Sequence, residues 1–334
     1  MNTRKVILLC WVGLLLATAA HAKIVFSSTR DGGDGIYVMD DDGSNQTLIR
    51  QSKDGLVPFP YCWSPDGTQI LIQTYGLSLM NADGTNVRKL IGRGFGGSIG
   101  RGSFSPDGKN IAFEGLFNHG AEHGIYVLNI RTLEMEAIAP QVMLNNPDWS
   151  PDGKHIICDE WNTFGVHTTI WIMDADGHDL RKLIPTPVGG EGEFTIERGR
   201  PRWSPDGQRI VFHQREWIDG SFYKAFRYII CDRNGENIKQ LRIPKDMQGI
   251  SLSWMDDGES IVFSAVAPIP LNVKLPEDFK EPNANIYKYH IWTNKMTRLT
   301  NHPGTDETID WISDDVLPVS PQGKKKVTWG TLKQ

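Results

Sequence analysis

Side chains able to do chemistry concentrate between the apolar runs in the middle of the chain. Histidine and carboxylate side chains are transition-metal ligands, but the histidines here would have to converge from separate segments, so the sequence predicts no metal site and no cofactor. Tryptophan beside arginine and carboxylates suits either a protein contact surface or a sugar-stacking groove. Both interpretations stay open, and the candidate binding residues are Glu114, His119, His123, Asp159, Trp161, His167, Arg200, His213, Arg215 and Trp217.

Three other sequence features bear on a possible catalytic or cofactor site, and each lacks a part that such a site needs. The Gly92–Gly97 string reads G-x-G-x-x-G, but no helix follows it to face a pyrophosphate. The stretch that begins at Asp174 has Pro185 where a calcium loop needs glutamate. No α/β hydrolase domain follows the repeats described below, so a peptidase is not expected. The chain is therefore interpreted as a non-enzyme.

Composition excludes several classes of protein. The 334 residues include 11 Trp, 13 Phe and 8 Tyr, too many aromatics for a disordered chain. There are 35 Lys+Arg against 40 Asp+Glu, a formal net charge of -5, and the longest basic run is Lys324–Lys326. This charge balance gives no electrostatic footprint for nucleic acid.

The N-terminus predicts a secretory signal peptide over 1–22. Arg4 and Lys5 precede an apolar run from Val6 to Ala20, and Ala20-His21-Ala22 offers small residues for cleavage. The run is shorter than the roughly 20 residues of a membrane span, so no transmembrane segment is expected after cleavage. An exported chain, periplasmic or secreted, follows. The odd number of remaining cysteines argues against a disulfide framework.

The remainder of the chain is repetitive. An aromatic-Ser-Pro-Asp-Gly motif recurs at spacings of 41 to 54 residues, beginning at Trp63, Phe104, Trp149, Trp203 and, in degenerate form, Trp254. A short β-type run follows each motif, as in Ile70-Leu71-Ile72, and then a second run rich in aromatic and β-branched residues. Asp-Gly and Asn-Gly turns end several of these second runs. Four-stranded units at this period predict a β-propeller.

Six such units over residues 23–334 predict one domain: an all-β, six-bladed β-propeller of four-stranded antiparallel blades. The first unit lacks its aromatic-bearing strand, and Thr308–Ile312 supplies an extra one, so a C-terminal strand is expected to close the first blade. Val319–Gly323 is an alternative closing segment. Closure would leave no long exposed sheet edge.

The repeat resembles that of the bacterial TolB family and related exported propellers, over nearly all of the chain after residue 22. The resemblance covers the propeller part, and we expect no counterpart of the additional N-terminal α/β domain of TolB. It implies a periplasmic, monomeric protein that docks an envelope protein or peptide, such as a peptidoglycan-associated lipoprotein, across the propeller mouth. The same repeat also builds the propellers of prolyl-oligopeptidase-type enzymes and oligogalacturonate lyases.

The propeller fold predicts where the candidate residues meet. Loops from second to third strands, and from each blade to the next, emerge on one face. The long connecting segments belong to that face and are Gly115–Gly124, Asp159–Thr169, Pro185–Arg200, His213–Phe226 and Ala265–Asn285. Binding residues concentrate on such loops. The residue that follows each second-strand run should point toward it, and all six are polar: Ser27, Gln73, Glu114, Asp159, His213 and Ser264.

We therefore expect an exported, non-catalytic module that binds a protein or peptide at its long-loop face, with Trp161, Trp217, Arg200 and His213 among its anchors. The alternative is a carbohydrate-active enzyme similar to oligogalacturonate lyase, with loop histidines around a metal.

Overall fold

The computed structural model describes residues 23–52, 59–92, 98–117, 122–140, 142–160, 168–185, 195–218, 222–271 and 282–316. Strands, turns and bends account for the regular structure of this part, in which no residue is helical. Accordingly, these segments contain no helix with the length and apolarity to cross a membrane. The predicted signal peptide lies outside the described residues.

Six antiparallel four-stranded sheets form the blades of a propeller, which confirms the predicted fold class. Blades 1 to 3 contain β1 (Lys23–Ser28), β2 (Gly35–Asp40), β3 (Thr47–Gln51), β4 (Phe59–Trp63), β5 (Gln69–Gln73), β6 (Leu77–Asn81), β7 (Arg88–Ile91), β8 (Ser98–Phe104), β9 (Asn110–Phe117), β10 (Glu122–Asn129) and β11 (Met135–Pro140).

Blades 4 to 6 follow the same order, and the last strand returns to blade 1. They contain β12 (Leu144–Trp149), β13 (His155–Glu160), β14 (Ile170–Asp174), β15 (Arg181–Lys182), β16 (Thr195–Trp203), β17 (Arg209–Ile218), β18 (Phe222–Asp232), β19 (Lys239–Gln240), β20 (Gln248–Trp254), β21 (Ser260–Val266), β22 (Ala284–His290) and β23 (Met296–Arg298). The last strand of the chain, β24 (Asp306–Ile312), belongs to the sheet of blade 1.

The aromatic-bearing strands β4, β8, β12, β16, β20 and β24 lie around the propeller axis. Each contacts the corresponding strand of both neighbouring blades, so the six inner strands form a closed ring. Every inner strand pairs with the second strand of its blade through a register shift. Such β-bulges bend a strand and release one backbone N–H from the ladder.

The C-terminal strand closes the ring as predicted. Strand β24 pairs with β1, with Ile312 opposite Lys23 and Trp311 opposite Ile24. A buried ion pair stabilises the contact between β24 and the segment that follows β1, because Arg30 Nη2 lies 2.6 Å from Asp306 Oδ1. The alternative closing segment, Val319–Gly323, lies outside the described residues.

The core consists of the apolar faces of adjacent blades. The repeated Phe position is fully buried at Phe26, Phe113, Phe212 and Phe263. Cys158 occupies the same position in blade 4 and is fully buried and unpaired. Burial raises the pKa of its thiol well above the ordinary value, so it packs as a small hydrophobic side chain.

The repeat turn uses its aspartate structurally. Asp107 Oδ1 accepts the Ser105 hydroxyl at 2.7 Å and the Lys109 backbone N–H at 3.1 Å. Equivalent serine–aspartate bonds are present at Asp66, Asp152 and Asp206. These carboxylates therefore hold tight turns, as predicted from the sequence.

The expected long loops are shorter than the sequence indicates. The segment from His213 to Phe226 was expected to be a loop, but β17 continues to Ile218 and β18 begins at Phe222. Likewise, β16 begins at Thr195 and includes Arg200, which was placed in a loop. Cross-strand pairing explains both differences, since the ladder continues from His213–Tyr228 to Ile218–Phe222.

Candidate functional site

Two cavities of similar volume lie along the inner strands. We call the first the loop-side cavity, because its walls are the starts of β12 and β16 and the ends of β13 and β17. Its volume is about 330 Å³, and its lining is Asn145, Asn146, Asp159, Glu160, Thr168, Glu197, Arg198, Gly199, Arg200, His213 and Arg215.

The second, the turn-side cavity, lies beside the Ser-Pro-Asp-Gly turns at the other end of the inner strands. Its volume is about 320 Å³, and its lining includes Cys62, Trp63, Ser103, Asp148, Arg202, Trp203, Ser253, Trp254, Asp256, Asp310 and Trp311.

The bulges of β12 and β16 shape the wall of the loop-side cavity. Asn146 and Arg200 are the bulge residues, with φ of 49° and 55° in the left-handed region. Their released N–H groups point to carboxylates of the preceding blades. Glu114 Oε2 accepts the Asn146 N–H at 3.1 Å, and Asp159 Oδ2 accepts the Arg200 N–H at 2.6 Å.

The side chain of Asn146 joins these two bonds into one network. Its Nδ2 donates to both oxygens of Asp159, at 3.1 and 2.9 Å. The network therefore runs from Glu114 in blade 3 to Arg200 in blade 5. Close approach also matters, because a Cβ on Gly199 would lie 2.7 Å from Asp159 Oδ2. Glycine at this position lets the carboxylate reach the backbone.

Burial changes the protonation of this network. The pKa of Glu114 rises from 4.5 to about 7, chiefly because burial disfavours the charged form, with a further contribution from Asp159. Burial likewise raises the pKa of Asp159 to about 6. The hydrogen bonds from Asn146 and Arg200 act in the opposite direction but do not cancel burial.

Two cavity residues have buried nitrogen atoms with no hydrogen-bond partner among the described residues, namely Arg200 Nη1 and His213 Nε2. The Asn145 Oδ1 oxygen is also buried without such a partner. His213 is 3% exposed and packs edge-on against Phe226 and Tyr228. An unmade hydrogen bond on a buried polar group costs free energy, so these atoms are ready to bind a ligand or water.

The charges around these atoms favour an anion. Burial, followed by the positive charges of Arg200 and Arg215, holds the pKa of His213 well below its ordinary value. Burial, followed by the charges of Arg101 and Arg215, similarly lowers the pKa of Arg200. Mutual repulsion between these cations would be relieved by a negative group in the cavity.

The mouth of the cavity carries charges of both signs. Glu197 pairs with Arg215 across the β16–β17 ladder, two residues nearer the loops than the Gly199–His213 pair. Arg198 is engaged at the mouth, where it donates to the Pro185 carbonyl oxygen at 2.8 Å. The mouth therefore offers both positive and negative side chains to a ligand.

Charged groups in the turn-side cavity bind each other or the backbone. Asp148 Oδ2 accepts the Trp203 N–H at 2.8 Å, and Arg202 Nη1 lies 3.9 Å from Asp148 Oδ1. Asp310 accepts the Trp63 N–H and the Ser253 hydroxyl, at 2.8 and 2.7 Å. Each carboxylate thus links inner strands of different blades, and burial raises the pKa of Asp148 to about 6.

The structure brings four of the ten predicted site residues together. Asp159, Arg200, His213 and Arg215 line the loop-side cavity, and Glu114 reaches it through Asn146. His119, Trp161 and His167 lie outside the described residues.

Two predicted residues lie elsewhere. His123 is 9% exposed in blade 3, and it hydrogen-bonds to the Val142 backbone. Trp217 is partly buried and packs on the apolar cluster shared by blades 5 and 6, which includes Met247 and Ile269. It contributes to packing because β17 extends past the expected loop.

Two sequence patterns resemble functional motifs. His119 and His123 have His-x3-His spacing within one segment, which the expectation of ligands only from separate segments overlooked. His119 lies outside the described residues, and no cluster of three metal-ligating side chains occurs among those that are described. The Gly96–Gly100 string reads Gly-x-Ser-x-Gly, but its Ser98 begins the inner strand β8. A nucleophile elbow would instead require a strand-to-helix turn.

Sequence reasoning missed the polar residues of the inner strands themselves. Asn145, Asn146 and Asp148 precede the repeat tryptophan by one to four positions, as does Arg202 in the next blade. These positions vary between repeats, but the sequence does not mark the bulges that decide which of them face the axis.

Comparisons with known proteins support the fold. No protein-family model matches the chain. A stretch of 83 residues is 36% identical to the Tol-Pal system protein TolB of Alcanivorax borkumensis, covering 25% of this chain and 18% of that relative. The matched segment therefore spans less than a fifth of that relative.

Among solved structures, TolB from Acinetobacter baumannii superposes with a TM-score of 0.64 at 18% identity, over 88% of this chain and 67% of that one. An oligogalacturonate lyase in complex with manganese gives 0.57 at 17% identity, over 84% and 74%. A chain of the nidogen/laminin complex gives 0.62 at 10% identity, over 87% and 98%. At these identities the structural likeness shows the fold, and the chain is a TolB-like six-bladed propeller.

Proposed function

We propose that this chain is an exported, non-catalytic binding module of the cell envelope that takes a protein or peptide partner at the long-loop face. The observation that carries this proposal is the loop-side cavity, in which buried polar atoms of Arg200, His213 and Asn145 have no described partner. The similarity to TolB supports a periplasmic location and a peptidoglycan-associated lipoprotein as the class of partner.

Calorimetric titration with a purified peptidoglycan-associated lipoprotein tests this proposal. Arg215→Glu reverses a charge at the cavity mouth and should weaken binding by roughly tenfold or more, since a mismatched charge costs over 1 kcal/mol. Arg233→Glu makes the same change at a turn on the opposite face, where Arg233 is half-exposed, and should leave binding unchanged.

Two results would contradict the proposal. Failure of the unmodified chain to bind any such lipoprotein would remove the partner class. Equal weakening by Arg215→Glu and Arg233→Glu would show that the long-loop face is not the binding surface.

A carbohydrate lyase is the second candidate, and one observation favours it. His213 lies with Arg200 and Arg215 in one cavity. This arrangement would place an imidazole and two cationic side chains beside a bound acidic sugar, where the imidazole can accept a proton. Absorbance of unsaturated uronide, measured on pectic fragments with and without added manganese, distinguishes the two candidates, and the binding proposal predicts none.

A further inference from the structure

Residues that line the loop-side cavity carry buried hydrogen-bonding atoms without partners among the described residues, and these atoms define the ligand chemistry that the cavity can accept. Arg200 Nη1 carries N–H donors, and His213 Nε2 can donate in the tautomer protonated at that atom. Asn145 Oδ1 is an acceptor. All three atoms are buried without partners among the described residues, and all three residues line the same cavity.

The N–H donors of Arg200 and His213 match the two oxygen atoms of a carboxylate. Planar guanidinium groups bind carboxylates through paired N–H donors, and charge-assisted bonds of this kind are the strong ones. The neighbouring acid does not compete for them, because both Asp159 oxygens accept bonds from Asn146 and one also accepts the Arg200 backbone N–H. The guanidinium of Arg200 thus remains available.

The acceptor adds a second requirement. Asn145 Oδ1 would repel a lone carboxylate but would accept an N–H close to it. A peptide C-terminus has this arrangement, because the N–H of its last peptide bond lies beside the terminal carboxylate. At about 330 Å³, the cavity can hold the end of a peptide but not a folded domain.

We propose that the loop-side cavity is a recognition subsite for a peptide C-terminus, in which Arg200 and His213 bind the carboxylate and Asn145 accepts the N–H of the last peptide bond. The inference rests on the proposed function, since it names the part of the partner that enters the propeller. An acidic side chain within a peptide offers the same carboxylate but a different position of its N–H.

Solution NMR of the histidine-labelled, full-length chain tests this subsite without the natural partner. The probes are N-acetyl-alanyl-alanine, its C-terminal amide, and N-acetyl-aspartate α-amide, whose free side-chain carboxylate makes it the acidic side-chain probe. The free acid should shift the His213 ring signals in a saturable manner, and the amide should not. The aspartate probe should bind at least roughly tenfold more weakly than the free acid.

Arg200→Gln supplies the matched variant. Glutamine keeps an unbranched side chain at this left-handed position and removes the charge, so backbone strain is unchanged. Arg200→Gln should weaken binding of the free acid by roughly tenfold or more, which is the size expected for a lost charge-assisted hydrogen bond. Arg233→Gln, on the opposite face, should leave the titration unchanged.

Equal shifts from the acid and the amide, no saturable shift from either, or retention of acid binding in Arg200→Gln would each overturn the subsite. Stronger binding of galacturonate than of any peptide probe would also overturn it. A failed subsite leaves the lipoprotein titration free to succeed. Conversely, peptide binding with no lipoprotein binding would remove the proposed partner and retain the subsite.

Discussion

The two cavities along the inner strands are almost equal in volume, about 320 and 330 Å³, but they use charge differently. In the turn-side cavity, Asp148 and Asp310 bind backbone N–H groups of neighbouring blades. In the loop-side cavity, one arginine and one histidine keep buried nitrogen atoms without partners among the described residues. Charged side chains with hydrogen-bond partners stabilise the ring of inner strands, whereas buried charged or polar side chains without partners indicate a candidate binding site.

The difference follows from the position of each cavity in the repeat. Inner strands enter tight Ser-Pro-Asp-Gly turns at the turn side, so the motif holds the backbone there. The charged side chains of that cavity have partners, although the indole nitrogens of Trp63, Trp203 and Trp311 and the Ser103 hydroxyl have none among the described residues. The loop side is where connections differ in length between blades, and the bulges of Asn146 and Arg200 present side chains from two blades to one space. The proposed binding site and the interblade carboxylates of the turn side therefore lie at opposite ends of the same strands.

The largest expected effect is the loss of an interblade carboxylate at the turn side. Asp148→Ala leaves the Trp203 N–H without its acceptor and removes the carboxylate that pairs with the Arg202 guanidinium at 3.9 Å, so it should lower the free energy of unfolding by about 2–3 kcal/mol. Urea unfolding followed by tryptophan fluorescence measures it. Asp256→Ala, at an exposed position of the same cavity, should cost under about 0.5 kcal/mol. Equal losses would remove the structural role of Asp148.

A second effect should be seen in the pH dependence of stability. Glu114 has a folded pKa raised from 4.5 to about 7, so the folded state binds the proton more tightly than the unfolded state. The stability that Glu114 contributes through this tighter proton binding is fully present below pH 4.5 and is lost as the pH rises through about 7. Glu114→Gln should remove this decline, a gain relative to the unmodified chain on the order of 2 kcal/mol after discounting for partial solvent exposure.

Thermal unfolding across this pH window measures the gain from Glu114→Gln. The exposed Glu136→Gln serves as the control and should follow the unmodified chain at every pH. A Glu114→Gln variant that retains the full decline would show that the carboxyl is not buried in the folded protein.

The third prediction concerns the stability change when Arg200 is replaced, which should be near zero or favourable and not the loss expected for an arginine that holds the fold together. Arg200→Gln removes a buried cation whose Nη1 has no described partner, so stability should stay within about 0.5 kcal/mol or increase slightly. Urea unfolding beside Asp148→Ala gives the comparison directly. A loss as large as that of Asp148→Ala would show that Arg200 holds the fold together and that the contrast between the cavities is wrong.

The smallest effect belongs to the exposed turn carboxylates. The Ser105 hydroxyl lowers the pKa of Asp107 to about 2, so its contribution to stability is present above the ordinary value of 3.8 and is lost as the pH falls through about 2. Asp107→Asn should flatten this acid limb slightly. An identical acid transition in both proteins would contradict the turn bond.

The sequence was sufficient for the fold because the repeat contains local and long-range information together. Each motif specifies a turn, and the missing first strand of blade 1 predicted closure by a C-terminal strand, for which Thr308–Ile312 and Val319–Gly323 were both candidates. The site was predicted less completely. Asp159 and His213 were found because they follow a recognisable strand, and Trp217 was misplaced because ladder pairing extends beyond the apolar run.

Inner-strand residues such as Asn145 were not predicted, because bulges change which side chain faces the axis. A register shift of one residue reverses side-chain direction, and the sequence does not mark where each shift falls. The interblade bonds of Glu114 and Asp159 depend on these shifts. Contacts between different blades therefore required the structure.

A crystal structure of the chain with N-acetyl-alanyl-alanine bound would show directly whether the loop-side cavity accepts a peptide C-terminus. We expect the peptide carboxylate within hydrogen-bonding distance of Arg200 Nη1 and His213 Nε2, with the last peptide N–H directed at Asn145 Oδ1. A loop-side cavity filled only by ordered water, or the peptide seated in the turn-side cavity, would contradict it.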